Sequence, residues 1–273
     1  MTGHDGFNWT PWPWGSSLRS TTLDEAADHL FTARQLMLRG PGEDAEWGLV
    51  AGAIGVCPER LARVAQVHGR AVVIVRRGEA LPRTRDGWRE ADILLTDDPT
   101  AAVAVQVADC VPLLIADRCG RIAAAVHAGW RGTCAGAAGA AVRAIEEAFG
   151  VAAADLLVAQ GPSIGPCCYV VGEEVVRAFA EAQPGADGRW FRRDEAGAVR
   201  LDLWAANAEQ LEAAGVPAAS IRRAGICTAC HPELFHSYRR DGGGAGRMAA
   251  AIRPRGGLCG VPGRSAGQRR CRG

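Results

Sequence analysis

The stretch 103–133, VAVQVADCVPLLIADRCGRIAAAVHAGWRGT, constrains the fold more than any other part of the chain. It contains three short apolar runs, each closing on a residue type that can do chemistry. The run 101–107 leads into Asp109-Cys110. The run 111–116 stops at Asp117, and 122–126 leads into His127 and then Gly129-Trp130-Arg131-Gly132. Continuous apolar runs bounded by Gly and Asp predict strands buried on both faces rather than amphipathic helices. Side chains at the ends of such strands are held rigidly, which suits a site. Thr133 is expected to cap an Ala-rich helix reaching Phe149.

The rest of the chain follows the same reading. Strands are expected over 29–34, 71–75, 91–96, 155–159, 221–226, 235–240 and 247–252. Helices are expected over 58–64, 172–182 and 203–214, the last with Asp202 at its start and Gly215 at its stop. Segment 40–48 reads as a loop. Strands outnumber helices and do not alternate with them, which predicts α+β rather than a doubly wound sheet. Residues 1–25 are expected to be a flexible arm, 26–253 a single catalytic domain, and 254–273, basic and Gly/Pro-rich, a disordered tail.

A net charge of +1 gives no reason to expect a nucleic-acid or membrane partner. No apolar run approaches the roughly 20 residues that span a bilayer. Residues 1–17 lack a basic segment followed by an apolar one, so a cytoplasmic location is expected. The ten cysteines are accordingly expected as thiols rather than a disulfide framework. Cys227-Thr228-Ala229-Cys230-His231 spells a haem-attachment spacing. It would require an exported protein, so haem is not expected. Adjacent cysteines such as Cys167-Cys168 point to opposite sides of an extended chain, so no metal pair is expected there.

His68, Cys110 and His127 each end a short apolar segment next to Gly or Asp. Two imidazoles and a thiolate suit zinc, with copper as the alternative. Three protein ligands with an open position are the pattern of a catalytic zinc. Spacing alone does not raise this trio above the structural reading, because a His or Cys at a strand end usually serves packing. Asp109 is a candidate general acid/base or an orienter of a ligating histidine. Gln66, two residues before His68, would share its face on a strand and is a candidate substrate-binding residue.

Five motifs then carry a resemblance: QVHG at 66–69, ADCVPLLIAD at 108–117, AAVHAGWRGT at 124–133, GPSIGPCCYVVG at 161–172 and FHSYRRDGGGAGRMA at 235–249. In this order they resemble the YfiH-like family. Its members have been described as multicopper polyphenol oxidases (laccase-domain proteins), as peptidoglycan editing factors, and as purine nucleoside phosphorylases with adenosine deaminase activity. The resemblance implies a single-domain layered α/β/β/α sandwich. It also implies a metal site at His68, Cys110 and His127, zinc first. The implied reaction is phosphorolysis of adenosine, inosine or guanosine to base and ribose 1-phosphate, with adenosine deamination at the same site. Such an enzyme needs an anion cradle, for which Arg131, Arg239 and Arg247 are the candidates, with Arg240 beside them.

The alternatives are a copper-dependent polyphenol oxidase and a hydrolase editing cell-wall precursors, the latter with Cys110 as nucleophile paired with His127. The six histidines, of which His4 lies in the arm, are too few for a multicopper cluster. The sequence leaves the oligomeric state open.

Overall fold

The computed structural model describes residues 6–81, 83–84, 87–185 and 188–257. Two six-stranded sheets carry the fold. The first runs in the order Phe7–Trp12, Gly15–Ser20, Ala27–Thr32, Met248–Pro254, Ala102–Val107, Leu61–Ala62. The second runs Ile221–Arg223, Leu156–Gln160, Val111–Asp117, Ala123–Ala128, Ile93–Thr96, Val72–Val75.

Side-chain alternation explains why these strands are apolar throughout. On Val111–Asp117, Leu114 and Ala116 enter the core between the sheets, with Val103, Val105, Ala250 and Ile252 from the first sheet. Leu113 and Ile115 face the other way, onto the helices Ala137–Phe149 and Leu203–Ala213. On the outer face of the first sheet, Ala102, Ala104 and Ala251 meet Trp47, Val50 and Ile54 of the helix Glu43–Ile54. Each sheet therefore buries both faces, and the layers read helix, sheet, sheet, helix. This is the expected α+β sandwich.

Several expectations are corrected. Residues 7–20 are not an arm: Phe7–Trp12 and Gly15–Ser20 form an antiparallel hairpin at the edge of the first sheet. Its apolar content explains this, since Phe7 and Leu18 are fully buried and Trp9 stacks on Phe235 at 6.1 Å. Thr133 caps nothing. It lies within a short helix, Trp130–Cys134, and its hydroxyl accepts a hydrogen bond from Asn207 Nδ2. A separate helix then starts at Ala137 and does end at Phe149. The helix Glu43–Ile54 begins inside segment 40–48, which reads as a loop in the sequence, and takes in 49–54, which reads as a short strand or a helix start. Residues 58–60 form only a 3-10 turn. The expected strand over 235–240 is a loop followed by the helical turn Tyr238–Asp241, capped by Ser237. Cys57 and Cys119 are disulfide-bonded rather than thiols. Residues 258–273, most of the expected tail, lie outside the described residues. No helix among the described residues is long and apolar enough to cross a membrane.

Candidate metal centre

Three strands of the second sheet, the pair Val111–Asp117 and Ala123–Ala128 and the edge strand Val72–Val75 one strand further on, bring the trio together. His127 lies on Ala123–Ala128, opposite Pro112, and Cys110 immediately precedes Val111–Asp117. His68 comes from the loop that enters the edge strand Val72–Val75. Their ligand atoms lie within 4.8 Å of one another. The two imidazole rings meet edge to face with centroids 4.8 Å apart.

One buried carboxylate organises two of the three. Asp92, fully buried, accepts a hydrogen bond from His127 Nδ1 at 2.8 Å. It also accepts from the backbone N–H groups of Val67, His68 and Gly69 at 3.3, 2.9 and 2.6 Å. The Asp92 backbone carbonyl accepts from His127 N at 2.8 Å. These bonds hold His68 in left-handed backbone, φ 61°, a conformation that costs a non-glycine residue on the order of 1 kcal/mol. With Nδ1 of His127 committed to Asp92, Nε2 is the ring nitrogen left for a metal ion, as in a carboxylate–histidine–zinc arrangement. Sequence reasoning missed Asp92. Its only signal was an acid placed directly before a fully apolar strand.

The electrostatics favour a thiolate. Burial pushes the Cys110 thiol up, but the charge and hydrogen bond of His127, and then those of His68, more than reverse this and bring it down to about 6. Burial lowers His127, yet the Cys110 charge and the Asp92 hydrogen bond outweigh it and raise His127 to about 9. The carboxyl of Asp92 is itself held low: burial raises it, and its bonds to His127 and Gly69 overcome that. A thiolate is the form of cysteine that binds metal.

The residues fit a metal ion on steric grounds as well. A Cβ on Gly129 would lie 2.7 Å from Cys110 Sγ and 3.2 Å from His68 Cδ2. A Cβ on Gly132 would lie 3.0 Å from the Gly69 carbonyl oxygen. Both glycines of Gly129-Trp130-Arg131-Gly132 are thus required by close approach. Two imidazoles, one thiolate and a partly exposed Cys110 give three ligands facing an open side, the donor set of a catalytic zinc.

The remaining sequence candidates fare differently. Asp109 is no orienter of a histidine. Its Oδ1 accepts from Thr228 Oγ1 and its Oδ2 from Arg239 N, both at 2.6 Å. Its backbone is left-handed, φ 87°. The carboxylate fixes loops behind Cys110. Gln66 is also committed: Nε2 donates to the Gln106 carbonyl and Oε1 accepts from Gln106 N. It lines a small pocket with Trp47, Arg63 and Trp88 rather than the metal trio. The expected shared face with His68 fails because 66–69 is not a strand.

Arg131 is exposed, stacks on Trp130 at 4.3 Å, and its guanidinium makes no hydrogen bond or ion pair among the described residues. Arg239 lies over Tyr169 at 4.9 Å and donates to the Val170 carbonyl at 2.6 Å. Arg247 donates to the carbonyls of Ala245 and Gly246. The charge of Cys110 acts on Arg247, and Tyr169 feels Cys110 together with Arg239 and Arg131. Burial pushes the Tyr169 hydroxyl up, and the charges of Cys110, Arg239, Asp109 and Arg131 all act on it. Arg247 is lowered by burial and by Arg39, against the opposing charge of Cys110. Arg240 is structural, bound to Asp241 and to the carbonyls of Thr228 and Phe235.

The other histidines do not join a metal site among the described residues. His29 bonds Ser20 N and the Ala27 carbonyl, His236 bonds the Leu36 carbonyl, and His231 pairs with Glu233.

Residues 44–255 match the family described as multi-copper polyphenol oxidoreductase laccase. The chain is 38% identical over 211 residues to purine nucleoside phosphorylase YlmD of Geobacillus stearothermophilus, covering 76% of this chain and 75% of the relative. It is 36% identical over 209 residues to adenosine deaminase RL5 of an unknown prokaryotic organism, covering 74% and 78%. The crystal structure of the Bacillus licheniformis hypothetical protein YfiH superposes with a TM-score of 0.82 at 27% identity, covering 92% of this chain and all of that one. The shared fold and the extent of these matches show that this chain belongs to the YfiH/YlmD family, the family described as multi-copper polyphenol oxidoreductase laccase.

Proposed function

We propose that the chain is a zinc-dependent purine nucleoside phosphorylase that also deaminates adenosine. The observation that carries this reading is the His68–Cys110–His127 trio beside arginines suited to phosphate. Relatives named for each of the two activities support it. In phosphorolysis the bond from ribose C1′ to the purine nitrogen breaks, a bond from C1′ to a phosphate oxygen forms, and the base leaves with a proton. Deamination consumes water and releases ammonia.

Each residue has a role in this scheme. His68, Cys110 and His127 would hold zinc, which supplies Lewis acidity toward water or a polar substrate atom when bound. Asp92 orients His127 and anchors the His68 loop. Arg131 and Arg239 offer planar guanidinium groups to phosphate, and Arg247 a third. Aromatic faces at Trp130 and Tyr169 preorder two of these arginines. Asp109 holds the loops around Cys110. We assign small-molecule substrates and a cytoplasmic location.

A second reading rests on a specific observation. The low Cys110 thiol beside a high His127 would also serve a cysteine nucleophile, as the editing hydrolase requires. A multicopper oxidase is disfavoured because His29, His231 and His236 are committed elsewhere. The deciding experiment is product analysis with inosine and adenosine, with and without phosphate, before and after chelation. Phosphate-dependent hypoxanthine and ribose 1-phosphate, lost on chelation and restored by zinc, are expected. No turnover of either nucleoside overturns the phosphorylase reading, and hydrolysis that survives chelation favours the nucleophile.

A further inference from the structure

Four cysteines outside the active centre converge on one point. The sulfurs of Cys167, Cys168, Cys227 and Cys230 lie within 4.8 Å of one another. Cys230 Sγ is 3.3 Å from Cys168 Sγ and 3.6 Å from Cys167 Sγ. They belong to two loops that leave Leu156–Gln160 and Ile221–Arg223, which are parallel neighbours. Parallel strands send their continuations off the same end of the sheet, so the loops emerge side by side. A bridge between Ser163 and Cys227 extends their pairing.

The expectation that Cys167 and Cys168 diverge fails for a local reason. Residues 165–168 form a turn, closed by Cys168 N donating to the Gly165 carbonyl at 3.0 Å, so both sulfurs reach Cys230. Gly165 N points at Cys227 Sγ at 3.2 Å, a backbone donor placed to stabilise a thiolate. Cys227-x-x-Cys230 supplies the other pair with the spacing common in structural zinc sites. Four thiolates about 2.3 Å from one zinc ion have sulfur–sulfur edges of about 3.8 Å. The sulfurs here are spaced for one ion and are too close to span an iron–sulfur cluster.

We propose that Cys167, Cys168, Cys227 and Cys230 form a second, structural zinc site. It staples the loop 161–169 to the segment 227–231. Thr228, between two of the ligands, donates to Asp109 Oδ1 at 2.6 Å, and Ile164 N donates to the Asp109 carbonyl at 2.9 Å. Both loops therefore grip the residue that precedes Cys110. The tetrathiolate site supports the active centre from behind without touching substrate.

The test is metal analysis of the full chain purified under reducing conditions. Two zinc ions per chain are expected, one remaining in Cys110→Ala and one remaining in Cys230→Ser. Cobalt substitution of Cys110→Ala, which leaves all four cysteines intact, is expected to give the intense visible bands and near-ultraviolet charge transfer of tetrathiolate cobalt. That measurement stands even if Cys230→Ser fails to fold. Zinc that falls to zero in Cys110→Ala, or a Cys168–Cys230 disulfide found by mass spectrometry of the alkylated protein, overturns the proposal.

Discussion

Asp92 and His127 form a fully buried carboxylate–imidazole pair, with Oδ1 2.8 Å from Nδ1. The same carboxylate binds the backbone of 67–69, so one side chain sets the positions of two candidate metal ligands from different parts of the chain. Asp92→Asn keeps the shape but removes the charge and half of the acceptor capacity. Zinc affinity, measured by competition with a chromophoric chelator, is expected to fall about 10- to 100-fold. Unchanged affinity would show that the ligands hold their places without Asp92.

Gly129→Ala tests the space itself. Its new Cβ would lie 2.7 Å from Cys110 Sγ, a contact that the thiolate can escape only by moving off its position. Gly129 already has an extended φ of −73°, so alanine brings no backbone strain. Near-wild-type circular dichroism with loss of the zinc at the His68–Cys110–His127 centre and of turnover is the expected result. Full zinc occupancy at that centre would mean that the site tolerates a shift of Cys110.

The strands and the trio were legible in the sequence because both rest on local signals. Apolar runs such as 111–116 are long enough to mark strands, and His68, Cys110 and His127 sit in recognisable motifs. Contacts made at a distance were not legible. Asp92 reaches the trio only because Ile93–Thr96 pairs with Ala123–Ala128 in the second sheet. Asp109 reads as an acid beside Cys110, and only the docking of 228 and 239 shows that its carboxylate holds those two segments. The hairpin 7–20 was misread because Trp, Pro and Gly carry no alternation, although its apolar side chains were on view.

Arg131 and Arg240 separate phosphate binding from structure. The Arg131 guanidinium stacks on Trp130 and makes no polar contact among the described residues, so its removal leaves nothing buried unsatisfied. Arg131→Met is expected to raise the KM for phosphate about tenfold or more, the worth of a charge-assisted hydrogen bond, with an unchanged melting temperature. Arg240→Met strips bonds from the carbonyls of Thr228 and Phe235 and is expected to lower the melting temperature by several degrees. Phosphorolysis kinetics on both variants, with melting curves, check the pair. A stability loss in Arg131→Met with normal phosphate KM would reverse the assignment.

His29 makes the fold sensitive to acid independently of the metal. It is buried between the edge hairpin and its own strand, with Nε2 accepting from Ser20 N at 2.8 Å and Nδ1 donating to the Ala27 carbonyl at 3.2 Å. Both ring nitrogens are thus used in the neutral form, and protonation would set an N–H against the Ser20 N–H. Burial is the main cause that lowers His29 to about 4; the Ala27 bond opposes it and Arg19 adds to it. Because the folded value lies below the ordinary 6.5, the unfolded chain binds the extra proton between these limits. The His29 contribution is therefore fully present above pH 6.5 and is lost as pH falls toward 4. The window corresponds to about 3 kcal/mol. His29→Gln retains an acceptor for Ser20 but does not titrate, so its urea midpoint is expected to fall less steeply than wild type across this range. Metal release adds the same acid slope to both proteins and cancels in the comparison. Parallel slopes would mean that His29 is protonated within the fold or that the hairpin opens locally to admit the proton.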